Sequence, residues 1–203
     1  MSLQEIRRKI DAQDSKILAL LNARAHASAE IGKLKKMGGQ GIYAPHREKE
    51  VLSRLKKINR GPMTDEAIEA IYREIMSFSI SLEKKVNIGY LGPAVTYTHQ
   101  AAQKKFGSSV EYAACGSISD VFSEVENGRS EYGVVPVENS SEGAVNHTLD
   151  LFIESDLKIY AEIYLPIHHH LMSIGNPIAG VTQVYSKDQV FGQCRLWLES
   201  NLR

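Results

Sequence analysis

Apolar positions recur at helical spacing through Leu3, Ile6, Ile10, Ile17, Leu20, Leu21, Ile31 and Leu34, which places them on one stripe of a helix. The predicted helix runs from residue 3 to about 36, roughly 50 Å at 1.5 Å per residue. The segment "GGQG" at 38–41 supplies the residues that stop it. A second helix is predicted after Pro45, through "HREKEVLSRLKKI" to "NRGP", and a third over "TDEAIEAIYREIMSFSISLEKK" with Thr64 as N-cap. A monomer of three helices within residues 1–86 cannot bury so long a stripe, and a dimer of intertwined helices would.

After residue 86 the period changes. Short apolar runs, "VNIGYL", "VEYAAC" and "YGVVPVE", alternate with helical patterns at "THQAAQKKF", "SISDVFSEVENG" and "GAVNHTLDLFIES". That alternation predicts βαβ units around a mostly parallel sheet. A further extended stretch, "LKIYAEIYLPIHHHLMSI", and a closing helix, "KDQVFGQCRLWLES", complete the reading. Two domains are expected, 1–86 and 87–203, joined closely at Lys85 to Asn87.

Charge sharpens this division. The net charge is zero, yet residues 1–86 hold 17 Lys or Arg against 11 Asp or Glu, and residues 87–203 hold 7 against 13. Opposite balances suggest two modules with different ligands. The basic half has no nucleic-acid-binding motif and no aromatic residue before Tyr43, so a small anion is a better ligand for it than nucleic acid. The charged N-terminus "MSLQEIRRKIDAQD" has no apolar run of the kind found in a signal peptide or membrane span. A cytoplasmic protein without a membrane partner is therefore expected. Cys115 and Cys194 form no C-x-x-C pattern and read as reduced structural thiols. Consecutive His168, His169 and His170 in an extended segment point to alternating faces, so no metal site is expected there.

The cations lie close to the apolar stripe. Arg24 and Lys35 are 11 residues apart, which leaves about 20° of rotation and about 16 Å of rise between them on one face. Their side chains can close on the two ends of one ligand. Arg7 lies about 25 Å from Arg24 along the axis and would serve a neighbouring protomer's site. Arg47 and Glu48 fall near the start of the second helix, and Ser79 and Glu83, four apart, share a face of the third. Taken singly these are ordinary solvated positions; as a set they suggest a site for an anion.

The segments "IRRKIDAQDSKILALLNAR", "EIGKLK" and "IYAPHREKEVLSRL" resemble the all-helical chorismate mutase family. "GYLGPAVTYTHQAA" and "YGVVPVENSSEGAVNHTLDLF" resemble the opening half of a prephenate dehydratase domain. Together they resemble the bifunctional chorismate mutase–prephenate dehydratase family of phenylalanine biosynthesis. The resemblance implies a three-helix, all-α mutase domain that forms an intertwined homodimer, followed by an α/β dehydratase domain like the two-lobed periplasmic binding proteins. Chorismate and prephenate would be the substrates, with no cofactor.

Chorismate rearranges to prephenate in a unimolecular pericyclic step, so positioning and charge stabilisation at the ether oxygen are what a protein can add. By the resemblance, Arg24 and the other protomer's Arg7 would hold carboxylates, Lys35 a carboxylate and the ether oxygen, and Glu48 the substrate hydroxyl. Arg47 and Ser79 would complete the polar lining. Glu83 would face the ether oxygen, where a carboxyl must hold a proton to donate a hydrogen bond. In place of the family's frequent Asp three residues before Arg47 stands Ala44.

For the dehydratase half, the resemblance places Glu138, Asn139, Ser140 and Gly143 of "VENSSEG" in a cleft with Thr96 and Thr98. A helix N-terminus there would favour an anion. Val95 stands where the family has Gly, and "SKDQ" where it has "S-H-P-Q"; a Gly lost from a tight turn implies a changed backbone. The family's second lobe continues further, with a "T-R-F" motif whose Thr is catalytic, and a phenylalanine-binding regulatory domain follows. On that comparison the dehydratase domain is incomplete at Arg203, and dehydration of prephenate to phenylpyruvate is expected to be lost or incomplete. The alternative from another class is a non-catalytic protein that binds or senses a small carboxylate through a helical dimerisation arm.

Overall fold

The computed structural model describes residues 2–37, 45–140, 143–175 and 178–202. Three helices come first: α1 (Leu3–Met37), α2 (Pro45–Ile58) and α3 (Asp65–Glu83). Thr64 caps α3 as predicted, its side chain accepting a hydrogen bond from the Ala67 N–H at 3.2 Å. The predicted stop at 38–41 and Ala44 lie outside the described residues. Both α1 and α2 pack on α3. The N-terminal part of α1 runs past this contact, leaving Leu3, Ile6, Ile10, Ile17 and Leu20 exposed along the predicted stripe.

The second part begins with β1 (Asn87–Leu91), α4 (Tyr97–Phe106), β2 (Glu111–Cys115), α5 (Ile118–Glu126) and β3 (Tyr132–Val134). The sheet order is β2-β1-β3 with every pairing parallel. Helices α4 and α5 begin at side-chain caps, Thr96 accepting from the His99 N–H and Ser117 from the Asp120 N–H. A short antiparallel pair, β4 (Glu138–Asn139) with β5 (Gly143–Ala144), precedes α6 (Asn146–Glu154), and α7 (Asp188–Asn201) closes the chain.

Two predicted elements differ. The run "YGVVPVE" is divided, with β3 ending at Val134 and β4 starting at Glu138. Pro136, which lacks an N–H to donate, lies between them. The helix expected from Gly143 starts at Asn146, because Gly143 and Ala144 pair with Asn139 and Glu138. The stretch 157–174, expected to be extended, contains neither helix nor strand.

The main core joins the two parts. Ile80 of α3 and Val86 of the junction cluster with Ile88, Tyr90, Ala102, Phe106, Val110 and Val134. Around that contact the Glu74 carboxylate accepts from the Ser108 N–H at 3.0 Å and from its hydroxyl, and Ser77 Oγ accepts from the Ser109 N–H at 3.1 Å. Gly107, at φ 74°, makes the approach possible: a Cβ there would lie 2.6 Å from that of Ser77.

Candidate functional site

In the helical part, α1 and α3 bring four of the sequence-predicted residues into two contacts. Arg24 donates to Ser79 Oγ at 2.6 Å, and Ser79 in turn donates to the Ile75 carbonyl at 2.8 Å. Further along both helices, Lys35 Nζ lies 3.8 Å from Glu83 Oε2. The Glu83 side chain is only 7% exposed and that of Lys35 21%, so the pair sits where solvent screens it little. Two cations on α1 thus face a hydroxyl and a carboxyl on α3.

Arg7 is exposed, as are its neighbours along α1, and α1 carries it away from the Arg24 contact. On α2, exposed Arg47 pairs with Glu50 at 3.1 Å. Glu48 is half-buried and directed to the second part of the chain, its Oε2 3.7 Å from Lys105 Nζ of α4.

Gly32 is a residue that the sequence reading missed. It is the buried position of α1 closest to Lys35, and a Cβ added to it would lie 2.6 Å from Glu83 Cγ and 3.1 Å from Glu83 Cβ. The absent side chain is what lets Glu83 cross α1 beside Lys35. A glycine inside a long helix, where it costs about 1 kcal/mol relative to alanine, was the available signal.

In the α/β part, the parallel order β2-β1-β3 puts the connections from β1 and β3 at one edge of the sheet, on either side of a reversal in strand order. Such a reversal opens a crevice at the C-terminal ends of the strands. The connection from β1 carries Thr96 and Thr98, and that from β3 leads to Glu138, Asn139, Ser140 and Gly143. Thr96 is committed to structure, donating to the Leu91 carbonyl at 3.1 Å and capping α4. Thr98 is half-buried in the first turn of α4, while Glu138, Ser140 and Gly143 are exposed and Asn139 is half-buried.

Val95 adopts φ 67°, a region in which a β-branched residue is strained. The position keeps a glycine-like backbone without a glycine. Its N–H donates to His99 Nδ1 at 3.0 Å, and the His99 ring stacks 4.5 Å from that of Tyr90. The acceptor role assigns His99 the tautomer protonated at Nε2. His169 is half-buried between Tyr97 and Gln193, whereas His168 and His170 are exposed, the alternation expected of an extended run.

The chain thus joins a helical unit that carries paired cations to a parallel α/β unit. Residues 6–84 match the family model of chorismate mutase type II and residues 88–203 that of prephenate dehydratase; the chain belongs to the prephenate dehydratase family, with a region similar to chorismate mutase ahead of it. The bifunctional chorismate mutase/prephenate dehydratase of Aquifex aeolicus (strain VF5) is 49% identical over 204 residues, a match covering 98% of this chain and 56% of that protein. The protein of the same name from Pseudomonas aeruginosa is 42% identical over 206 residues, with the same two coverages. That from Neisseria gonorrhoeae is 43% identical over 197 residues, covering 97% of this chain and 54% of the relative. The chain therefore spans little more than half the length of these relatives.

Proposed function

We propose that the chain is a cytoplasmic chorismate mutase of phenylalanine biosynthesis, rearranging chorismate to prephenate at the α1–α3 site. The observation that carries this reading is the placement of Arg24 beside Ser79 and of Lys35 beside Glu83, along one seam between two helices. Arg24 binds one carboxylate, and Lys35 with Glu83 addresses the other end of the substrate and its ether oxygen. Holding the compact conformer is the main catalytic act, since the step is unimolecular. Arg47, Glu48 and Ser79 complete the lining in this reading, with Glu48 accepting from the substrate hydroxyl.

The same proposal makes the protein a homodimer. The exposed stripe of α1 would pack against a second copy, and Arg7 of each copy would enter the other's site. The domains are placed at 1–86 and 87–203. The second belongs to a fold like the periplasmic binding proteins, with prephenate bound at the strand-end crevice among Thr96, Thr98, Glu138, Asn139, Ser140 and Gly143. Dehydration and decarboxylation of prephenate to phenylpyruvate is the reaction assigned to that crevice.

The test is to incubate the purified 203-residue chain with chorismate and identify the products. Loss of chorismate with prephenate formed, abolished by Arg24→Ala, is expected. Unchanged chorismate, or conversion indifferent to Arg24→Ala, overturns the mutase assignment. Phenylpyruvate in the same mixture would report dehydratase activity directly.

A further inference from the structure

Helix α3 is held on two nearly opposite faces. Ser77 and Ser79 are two residues apart and so project about 160° from each other around the helix. The Ser79 side meets α1, where Ser79 Oγ accepts from Arg24 at 2.6 Å and Glu83 Oε2 lies 3.8 Å from Lys35 Nζ. The Ser77 side meets the α/β part. There Ser77 Oγ accepts from the Ser109 N–H at 3.1 Å, and Glu74 Oε2 accepts from both the N–H and the hydroxyl of Ser108. Ser77 is 1% exposed, so its hydrogen bond is made out of water. Ile80, three residues on and on the same side, enters the core with Ile88, Phe106 and Val110. The 107–109 turn is itself fastened to the sheet, the Tyr112 hydroxyl of β2 donating to the Gly107 carbonyl.

We propose that the 107–109 turn is a positioning element of the α1–α3 site: by gripping Glu74 and Ser77 it fixes the rotation of α3, and so aims Ser79 and Glu83 at Arg24 and Lys35. This rests on the mutase reading above and deepens it, making the α/β part a support of the mutase geometry. The physical reason is the radius at which helix side chains act. At 5–6 Å from the axis, a helix rotation of about 10° moves a side-chain group by roughly 1 Å. A misplacement of that size costs up to about 100-fold at a site that works by holding a reactive conformer. Glu74 and Ser108 act through α3 rather than by touching the substrate.

Thr148 supplies the control. It is fully buried in α6, and its hydroxyl donates to the Pro136 carbonyl at 2.7 Å. Neither group belongs to the α3 docking. Removing that hydroxyl leaves a buried carbonyl unsatisfied and weakens the α/β part, but it leaves the grip on α3 in place.

The experiment measures mutase kinetics, well below the melting transitions, and thermal melts on the full chain for Glu74→Ala, Glu74→Gln, Ser108→Ala and Thr148→Val. Glu74→Ala should lower mutase kcat/KM about 5-fold with part of the loss in kcat, as expected when the transition state is held less well. Alanine is the better helix former, so that loss would not come from a weaker α3. Glu74→Gln keeps an oxygen that accepts the same two hydrogen bonds and should retain most of the activity. Ser108→Ala, which removes the hydroxyl and keeps the N–H, should show a smaller loss in the same direction, and it carries the test if Glu74→Ala does not fold. Thr148→Val should melt lower than wild type with unchanged kinetics. Wild-type kcat in folded Glu74→Ala or, failing that chain, in Ser108→Ala overturns the proposal. So does a loss in Glu74→Gln as large as in Glu74→Ala, or an equal loss of kcat in Thr148→Val. An inactive wild-type chain is a separate result, overturning the mutase reading and this role with it.

Discussion

Residue-scale features of the α1–α3 seam depend on what is missing as much as on what is present. Glu83 reaches the position beside Lys35 because Gly32 has no Cβ, and any added carbon would lie within 3.1 Å of three Glu83 side-chain carbons. Replacement by alanine improves intrinsic helix propensity by about 1 kcal/mol but displaces the carboxyl from the seam. The two effects move stability and activity separately. Gly32→Ala should lower mutase kcat/KM at least about 10-fold, since small misplacements at a site that works by positioning are costly. Its melting temperature should stay within a few degrees of wild type. Steady-state kinetics and thermal melts on the same preparation check this; full activity in Gly32→Ala would mean that Glu83 does not need the space.

At the scale of elements, the junction between α3 and β1 is held by a carboxylate from a distant part of the chain. Glu131, just before β3, pairs with Lys84 at 2.6 Å and accepts from the Asn87 N–H at 2.7 Å. Burial alone would raise the Glu131 pKa, but the hydrogen bonds from Lys84 and Asn87 outweigh it and hold the carboxyl below the usual glutamate value of about 4.5. A pKa lowered on folding contributes stability that is complete above the unfolded value and is lost as pH falls through the folded one. Glu131→Gln should therefore be less stable than wild type at pH 6 to 7, by about 1.5–3 kcal/mol for hydrogen bonds to a charged group. The gap should narrow as pH falls below 4.5 and close in stronger acid, as paired melting curves would show. A gap independent of pH would assign the effect to shape rather than charge.

The elements themselves were largely legible. The long period of α1, the Thr64 cap and the strand–helix alternation of 86–128 are local signals, and each corresponds to an element close to its predicted bounds. The chorismate mutase and prephenate dehydratase segments were legible as well, and their family models match the two halves. What escaped was set by distant contacts. Gly32 has meaning only once α3 crosses it, Lys105 only once α4 docks near α2, and the break in "YGVVPVE" only once the Glu138–Ala144 pairing competes with extension of β3.

For the whole molecule, the largest unbalanced feature is the apolar stripe of α1. Leu3, Ile6, Ile10, Ile17, Leu18 and Leu20 are each at least 43% exposed, on a helix about 50 Å long that leaves its α3 contact behind. A contiguous apolar face of that extent is a surface for association. In an antiparallel pairing of two copies, the Arg7 end of one α1 approaches the Arg24 region of the other, so each site draws on both chains. Complementation tests this arrangement. Arg7→Ala and Arg24→Ala chains should each be nearly inactive, and each mixed dimer should contain one site with both arginines and one with neither. If the two chains associate at random, half the dimers are mixed and half their sites are intact, so activity should recover to about one quarter of wild type. Sedimentation should report a dimer for each variant, because neither change removes an apolar residue of the stripe. A fully active monomer, or a mixture no better than its two parents after subunit exchange, would place Arg7 outside the site and leave the exposed stripe to another partner.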